Sequence, residues 1–153
     1  LEFSLPDVTI RLPSAGTNYC GPAPVNSSGS SALISSTGSP IVASNDLGML
    51  ATNLPTSSFG FFIVSETQGF TANPGGSQGN LCVSGDVGRY VDQIQSSGAA
   101  GSLTLSIDLT AVPQPTGFVT AAAGESWNFQ CWFRDANPQT TSNFTDAIEV
   151  LLQ

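Results

Sequence analysis

The fold is decided by the stretch Ser126-Trp127-Asn128-Phe129-Gln130-Cys131-Trp132-Phe133-Arg134-Asp135. In an extended strand, successive side chains point to opposite faces. One face then carries Trp127, Phe129, Cys131 and Phe133, and the other carries Asn128, Gln130, Trp132 and Arg134. This alternation predicts a half-buried strand in a β-rich domain, with one large aromatic side chain, Trp132, outside the core.

The composition favours a single extracellular domain. Of the 153 residues, 40% are hydrophobic but only 9% are charged, well below the roughly 25% of typical globular domains. A chain of this length buries enough surface to fold as one unit. Ser, Thr, Asn, Gln and Gly must then supply the polar surface, as they do where polar turns join short strands. We therefore expect an extracellular or cell-surface protein.

The charge balance excludes two classes of partner. The chain has three Arg, no Lys and no His against eleven Asp and Glu, which gives a formal net charge of -8. Nucleic acids require a basic face that neutralises phosphates, and anionic membrane surfaces attract basic segments. No apolar run approaches the roughly 20 residues of a membrane span. We expect no nucleic-acid partner and no membrane insertion.

The spacing of apolar residues and turn residues predicts an all-β fold. Phe59 to Val64 is apolar on both faces and is the best candidate for a central strand. Leu103, Leu105, Ile107 and Leu109 alternate with polar residues. About nine or ten short strands, separated by Gly and Pro turns, predict a two-sheet antiparallel β-sandwich or jelly roll over residues 14–153.

Residues 1–13 are predicted to form an extended N-terminal strand. Leu1, Phe3 and Leu5 alternate in one phase, and Val8, Ile10 and Leu12 alternate in the other. Such a phase change turns the apolar face over, and Pro6 favours an edge strand or a bulge at that point. The segment is either the first strand of its own domain or a strand that pairs with a neighbouring subunit. In the second case its contact residues are Phe3, Leu5, Val8, Ile10 and Leu12.

Cysteine usage predicts one disulfide. Cys20 and Cys82 lie in loop-like segments rich in Gly, Ser and Asn, whereas Cys131 lies on the predicted inward face of a strand. We therefore expect a Cys20–Cys82 disulfide and a buried, free Cys131. Closing so long a loop would stabilise the fold by roughly 4 kcal/mol in the chain-entropy model. The alternative is three reduced cysteines in a cytosolic protein.

The residues needed for common enzyme mechanisms are missing from the sequence. Without His there is no ordinary Ser–His or Cys–His pair, and without Lys there is no Schiff base. A pair of facing carboxylates, as in glycoside hydrolysis, is the one enzymatic option left. Isolated surface carboxylates are far more common, so we expect a protein that is not an enzyme and needs no cofactor.

Calcium is the one metal that the sequence makes a candidate. Asp135, Asn137 and Asp146 supply oxygen donors around one loop, and Ca²⁺ takes six to eight oxygens from such loops. No Asp-x-Asp-x-Asp loop is present. Asx turns explain the same residues without a metal.

The outward face of the aromatic strand is a candidate binding surface. Trp132, Arg134 and Gln130 could form a platform for a sugar, since an aromatic ring stacks on the apolar face of a sugar and Arg supplies directed donors. The alternative is that a loop or another subunit covers Trp132, or that both faces of the strand are buried. Asn26 and Asn143 match the short acceptor pattern for N-glycosylation.

Several short motifs occur in order along the chain: Asn18-Tyr19-Cys20, Asn26-Ser27-Ser28-Gly29, Ala43-Ser44-Asn45-Asp46-Leu47, Gly79-Asn80-Leu81-Cys82, Trp127 to Asp135, and Asn143-Phe144-Thr145-Asp146. Together they resemble uncharacterised C-terminal modules of large secreted bacterial proteins, best represented in planctomycete-type genomes. The resemblance covers nearly the whole chain from Asn18 onward. It implies secretion, a β-sandwich and no established activity, so no catalytic residue can be carried over. Cys131 departs from the pattern, which supports an unpaired Cys131.

Two functions follow as hypotheses. The first is a non-enzymatic structural or adhesion module whose N-terminal strand pairs with the exposed edge of a neighbour. Repeated head to tail, this contact gives a surface fibre. Its partners would be copies of itself or a component of the cell surface or matrix. The second is a carbohydrate-binding module that uses Trp132 and its polar neighbours to bind a polysaccharide.

Overall fold

A computed structural model describes the backbone of residues 2–5 and 8–11 and the whole of residues 15–153. The described residues form sixteen strands: β1 Glu2–Leu5, β2 Val8–Arg11, β3 Thr17–Tyr19, β4 Leu33–Gly38, β5 Leu47–Thr52, β6 Phe59–Ser65, β7 Thr67–Ala72, β8 Asn80–Ser84, β9 Gly88–Arg89, β10 Gln95–Ser96, β11 Leu103–Ser106, β12 Val112–Pro113, β13 Phe118–Val119, β14 Ser126–Ala136, β15 Thr140–Phe144 and β16 Ala147–Leu151. Single-turn 3-10 helices lie at Val42–Ser44, Pro74–Gly76 and Val91–Gln93.

All of the strand pairs are antiparallel, as the sequence predicts, but the described strands form five sheets where the sequence predicts two. A seven-stranded sheet has the order β10-β6-β14-β16-β3, with β15 also paired to β14 and β9 to β6. A three-stranded sheet has the order β11-β5-β4. The pairs β1-β2, β7-β8 and β12-β13 are separate two-stranded sheets. The sixteen strands outnumber the nine or ten predicted, and four of them, β9, β10, β12 and β13, have only two residues.

The main core lies between the seven-stranded and three-stranded sheets, which gives a sandwich-like arrangement. The predicted alternation holds on both sides of it. The buried side chains from β14 are Trp127, Phe129, Cys131 and Phe133. From the other sheet and the residues that follow it come Met49, Leu103, Leu105, Ile107 and Leu109. We call the side of β6 and β14 that faces this core the inner face of the seven-stranded sheet.

Strand β14 is the centre of the seven-stranded sheet. It pairs with β6 along one side, from Asn128↔Ser65 to Phe133↔Gly60. Along the other side it pairs first with β16 and then with β15. The chain passes from β15 to β16 at Thr145, whose hydroxyl accepts a hydrogen bond from the Cys131 amide. Both edges of the longest strand are therefore paired within the sheet.

Side chains join the two sheets along both open sides of the sandwich. On one side, the backbone N–H of Ile34 in β4 donates to Asp146, and the Asn18 amide donates to both the Ile34 carbonyl and Asp146. On the other side, the Gln95 amide in β10 donates to the Thr104 carbonyl in β11. Such contacts satisfy polar groups at strand edges, which otherwise invite pairing with other chains.

The N-terminal segment differs from the single extended strand predicted for it. Strands β1 and β2 pair with each other, with Phe3 opposite Ile10 and Leu5 opposite Val8. The phase change at Pro6-Asp7 therefore reflects a hairpin and not a bulge within one strand. Leu12, also predicted as a contact residue, lies outside the described residues, as do the side chains of the other four predicted contact residues.

Candidate functional site

The second face of β6 and β14, which we call the outer face, is largely covered by the ribbon β7-β8. Leu81 and Val83 of β8 pack with Ile63 of β6 and Phe144 of β15 on this face. The predicted Cys20–Cys82 disulfide is present and ties β8 to the segment that follows β3. Cys131 is free and buried, as predicted, and burial raises the pKa of its thiol.

Gln130 is fully buried under this cover, so its prediction as a contact residue is wrong. Its side-chain oxygen accepts a hydrogen bond from the Cys82 amide at 2.9 Å. Its side-chain nitrogen donates to the carbonyls of Asn80 at 2.7 Å and Thr145 at 2.8 Å. A residue that makes three bonds to backbone groups holds the cover in place and has no polar atom left for a ligand.

Trp132 is only partly buried at the edge of the cover. Its ring lies 5.2 Å from the Phe61 ring, at an interplanar angle of 40°. The guanidinium carbon of exposed Arg134 lies 5.9 Å from the centre of the Trp132 ring, a distance suited to a cation–π contact. Nearby Phe59 is 55% exposed. Trp132 and Arg134 therefore contact each other, and the surface open to a ligand is narrower than the sequence predicts.

The three calcium candidates use their oxygens within the protein. Asp135 accepts hydrogen bonds from the Ser27 and Ala136 amides. Asp146 accepts from Ile34 and Asn18 as described above, and the Asn137 carbonyl accepts from the Gln78 amide at 2.9 Å. Within residues 15–153, no group of three or more His, Cys, Asp or Glu side chains is placed to hold a metal ion. A calcium site at these residues stays a prediction.

The two predicted glycosylation sites do not fit the fold. Asn26 is 2% exposed and Asn143 is fully buried. The Asn26 side-chain nitrogen donates to the Asn53 carbonyl at 2.8 Å, and that of Asn143 donates to the Pro24 carbonyl at 3.1 Å. A glycan on either nitrogen would break these bonds and open the core, so the structure contradicts both positions as acceptors.

A cleft that the sequence does not predict lies between the helix Val91–Gln93 and the hairpin β12-β13. Its volume is about 290 Å³, close to the lower end of roughly 300 Å³ for ligand pockets. Its lining includes Tyr90, Asp108, Gln114 and Phe118. Phe118 is 67% exposed. The only sequence signal for this cleft is an aromatic residue placed directly after the turn residues Gln114 to Gly117.

The chain finds no match among protein-family models, curated proteins or solved structures. In the part of the chain that the structure describes, no helix is long and apolar enough to cross a membrane.

Proposed function

We propose that this chain is a non-enzymatic extracellular β-sandwich module that assembles with copies of itself through the N-terminal hairpin β1-β2. The observation that carries the proposal is the separation of this hairpin from the sandwich. Among the described residues, β1 and β2 form a sheet of their own and add no strand to the seven-stranded or three-stranded sheet. This favours a role outside the domain over the alternative that the segment is the domain's own first strand.

The hairpin has features suited to pairing with a neighbour. Its register places the apolar positions Phe3 and Ile10 opposite each other, and likewise Leu5 and Val8, while Ser4 lies opposite Thr9. A two-stranded hairpin alone is marginally stable in water, so a second sheet or an apolar surface would stabilise it. Strand β3, which follows directly, is an edge strand of the seven-stranded sheet and offers a place where strands of another copy can add.

Two properties support an extracellular location. The chain contains a Cys20–Cys82 disulfide, and structural disulfides form and persist mainly in oxidising compartments. The Cys82 amide donates to Gln130 and the Cys82 carbonyl accepts from the Tyr19 hydroxyl, so both backbone groups of this cysteine are bonded, which fits a structural rather than a catalytic cysteine pair. The low charged fraction of 9% suits a surface rich in hydroxyl and amide groups.

The test is a pair of matched double variants in the hairpin. Phe3→Asp with Ile10→Asp places two charges at an apolar register pair, and Ser4→Asp with Thr9→Asp places the same charges at the adjacent polar pair. We expect native chain to form oligomers that grow with concentration, the first double variant to stay monomeric, and the second to assemble like native chain. Light scattering and electron microscopy measure this. A native chain that is monomeric at every concentration would contradict the proposal, as would equal assembly of both variants.

Carbohydrate binding at Trp132 is the second candidate function. The observation that favours it is the partly exposed Trp132 ring beside Phe61, with exposed Phe59 and Arg134 on the same face. Aromatic rings on a rigid sheet can stack on a pyranose ring. Loss of glycan-array binding in Trp132→Ala, with the fold intact, is the expected result for this function. Retention of that binding in Trp132→Ala would place any sugar site elsewhere.

A further inference from the structure

Strand β7 is the one long strand in residues 15–153 whose outer edge is open. Its partner β8 turns its second edge towards the sandwich, because the Cys82 amide donates to Gln130 and the Cys82 carbonyl accepts from Tyr19. β7 is therefore the outer strand of the ribbon. Within residues 15–153, the only hydrogen bond that a β7 backbone group makes outside the ribbon runs from the Thr67 amide to the Ser65 hydroxyl.

The other strands of five or more residues have both edges occupied. β5, β6, β14 and β16 each lie between two strands. Backbone groups of β4 and β15 bond to residues outside their own sheets, at Asp146 and Gln78. β7 has six residues against three for β3, and it contains neither a charged residue nor the Pro that would protect an exposed edge. Such an edge can accept a strand from another chain.

The strand that suits this edge is β2 of the N-terminal hairpin. A two-stranded hairpin alone is marginally stable in water, and a third strand stabilises it. β2 has four residues, which matches in length the part of β7 from Thr67 to Phe70. A bulge between Gln68 and Thr71 interrupts the register of β7 at the end of that part, and bulges often terminate pairing.

Charge and side-chain type give the direction of the pairing. Arg11 is the last residue of β2, and exposed Glu66 directly precedes β7. An antiparallel strand with Arg11 opposite Thr67 brings the two opposite charges side by side. The same register places Val8 opposite Phe70, which is 68% exposed. Opposite charges and pairs of an aromatic with a β-branched residue both stabilise neighbouring strands.

We infer that β2 of one copy adds antiparallel to β7 of the next copy, along Thr67 to Phe70. The two ribbons then form one four-stranded sheet, β1-β2-β7-β8, shared by two copies. This inference rests on the proposed assembly through the hairpin and identifies its acceptor. Among the described strands of one chain, the hairpin pairs only with itself, so β7 stays free for a neighbour. A contact between two different surfaces repeats head to tail and gives a filament.

The first test is an acceptor variant, Glu66→Arg with Phe70→Asp, which changes both expected contacts at exposed positions. The matched control is Asp92→Arg with Ala72→Asp, which makes the same changes of charge at exposed positions outside the expected pairing. The acceptor variant should raise the concentration for half-maximal assembly about tenfold, the combined effect of two cross-strand pairs. The control should assemble like native chain. Light scattering measures assembly, and urea unfolding of the monomers shows that both variants fold.

The second test mixes the acceptor variant with the donor variant, Phe3→Asp with Ile10→Asp. The donor variant keeps an intact β7, and the acceptor variant keeps an intact hairpin. At a concentration where each alone is monomeric, an equimolar mixture should form a 1:1 dimer in analytical ultracentrifugation, since only one productive contact remains.

The outcomes separate this inference from the function on which it rests. A mixture that stays monomeric would overturn the inference. So would an acceptor variant that assembles like native chain while the donor variant does not, and assembly through the hairpin would then stand with a different acceptor edge. A native chain that is monomeric at every concentration would overturn both.

Discussion

The two faces of strand β14 are both buried over most of their length, but by different chemistry. On the inner face, Phe129, Cys131 and Phe133 are fully buried in an apolar core. On the outer face, Asn128 and Gln130 are buried to the same degree, but backbone and side-chain groups pair with their amides. An alternation of apolar and polar residues along a strand therefore indicates which kind of packing each face makes. It does not indicate whether a face is exposed to solvent.

The largest effect is expected on the inner face. Phe129→Ala removes a fully buried ring and should lower the free energy of unfolding by about 3–5 kcal/mol, because lost burial adds to the cost of a cavity. Urea unfolding of the oxidised protein measures this. Phe70→Ala is the matched control, since Phe70 is 68% exposed on β7, and its change should stay within about 0.5 kcal/mol. Similar losses in both variants would contradict the assignment of the inner face as the core.

A smaller effect is expected on the outer face. Gln130→Leu replaces the amide by an apolar side chain of similar size and leaves the Cys82 amide and the Asn80 and Thr145 carbonyls without their partner. The free energy of unfolding should fall by about 2–3 kcal/mol, since buried polar groups left unpaired carry a desolvation cost. Hydrogen exchange should also show faster exchange of the Cys82 amide.

Gln95→Leu is the control for this prediction. It is the same substitution at a glutamine that makes an exposed bond to the Thr104 carbonyl, where water can replace the side chain. Its loss should therefore be below about 1 kcal/mol. If Gln130→Leu were as stable as native chain, the outer face would be held by its apolar contacts and the comparison between the two faces would fail.

Local patterns predicted the architecture well because they depend on local physics. The alternation in β14 and from Leu103 to Leu109 follows from side chains pointing to opposite faces, and both patterns are found in the core. The interior position of β6, between β10 and β14, followed from its apolar character on both faces. What covers the outer face could not be predicted, because Gln130 meets residues about fifty positions away in the chain.

Two sequence patterns had a second physical explanation that only the structure reveals. The change of phase at Pro6-Asp7 is what a hairpin requires, since the register places Leu5 opposite Val8. The Asn-x-Ser/Thr pattern at Asn26 and Asn143 reflects buried amides that bond to backbone carbonyls. The buried Tyr90 hydroxyl makes no hydrogen bond, and the sequence carries no signal for this, because a missing bond becomes visible only when the surroundings of the group are known.

The smallest expected effect is a difference between a buried and an exposed carboxylate in how each one's contribution to stability depends on pH. Burial raises the pKa of Asp146, despite the bonds from Ile34 and Asn18 that lower it. A raised pKa in the folded state means that its contribution to stability is present below the unfolded pKa and is lost as pH rises through the folded value. The free energy of unfolding of native chain, minus that of Asp146→Asn, should therefore decrease from pH 3 towards pH 7.

Asp108 should give the opposite sign, which makes it the control for Asp146. Hydrogen bonds from the Thr110 side chain, the Thr110 amide and Asn45 lower its pKa, so its contribution is present above the unfolded pKa and is lost as pH falls. The free energy of unfolding of native chain, minus that of Asp108→Asn, should increase from pH 3 towards pH 7. The increase should be small, because solvent screens an exposed group. Urea midpoints at several pH values measure both series. If both stability differences changed with pH in the same direction, burial would not distinguish the pKa values of the two carboxylates. The difference between buried and exposed polar groups would then not extend to charged groups.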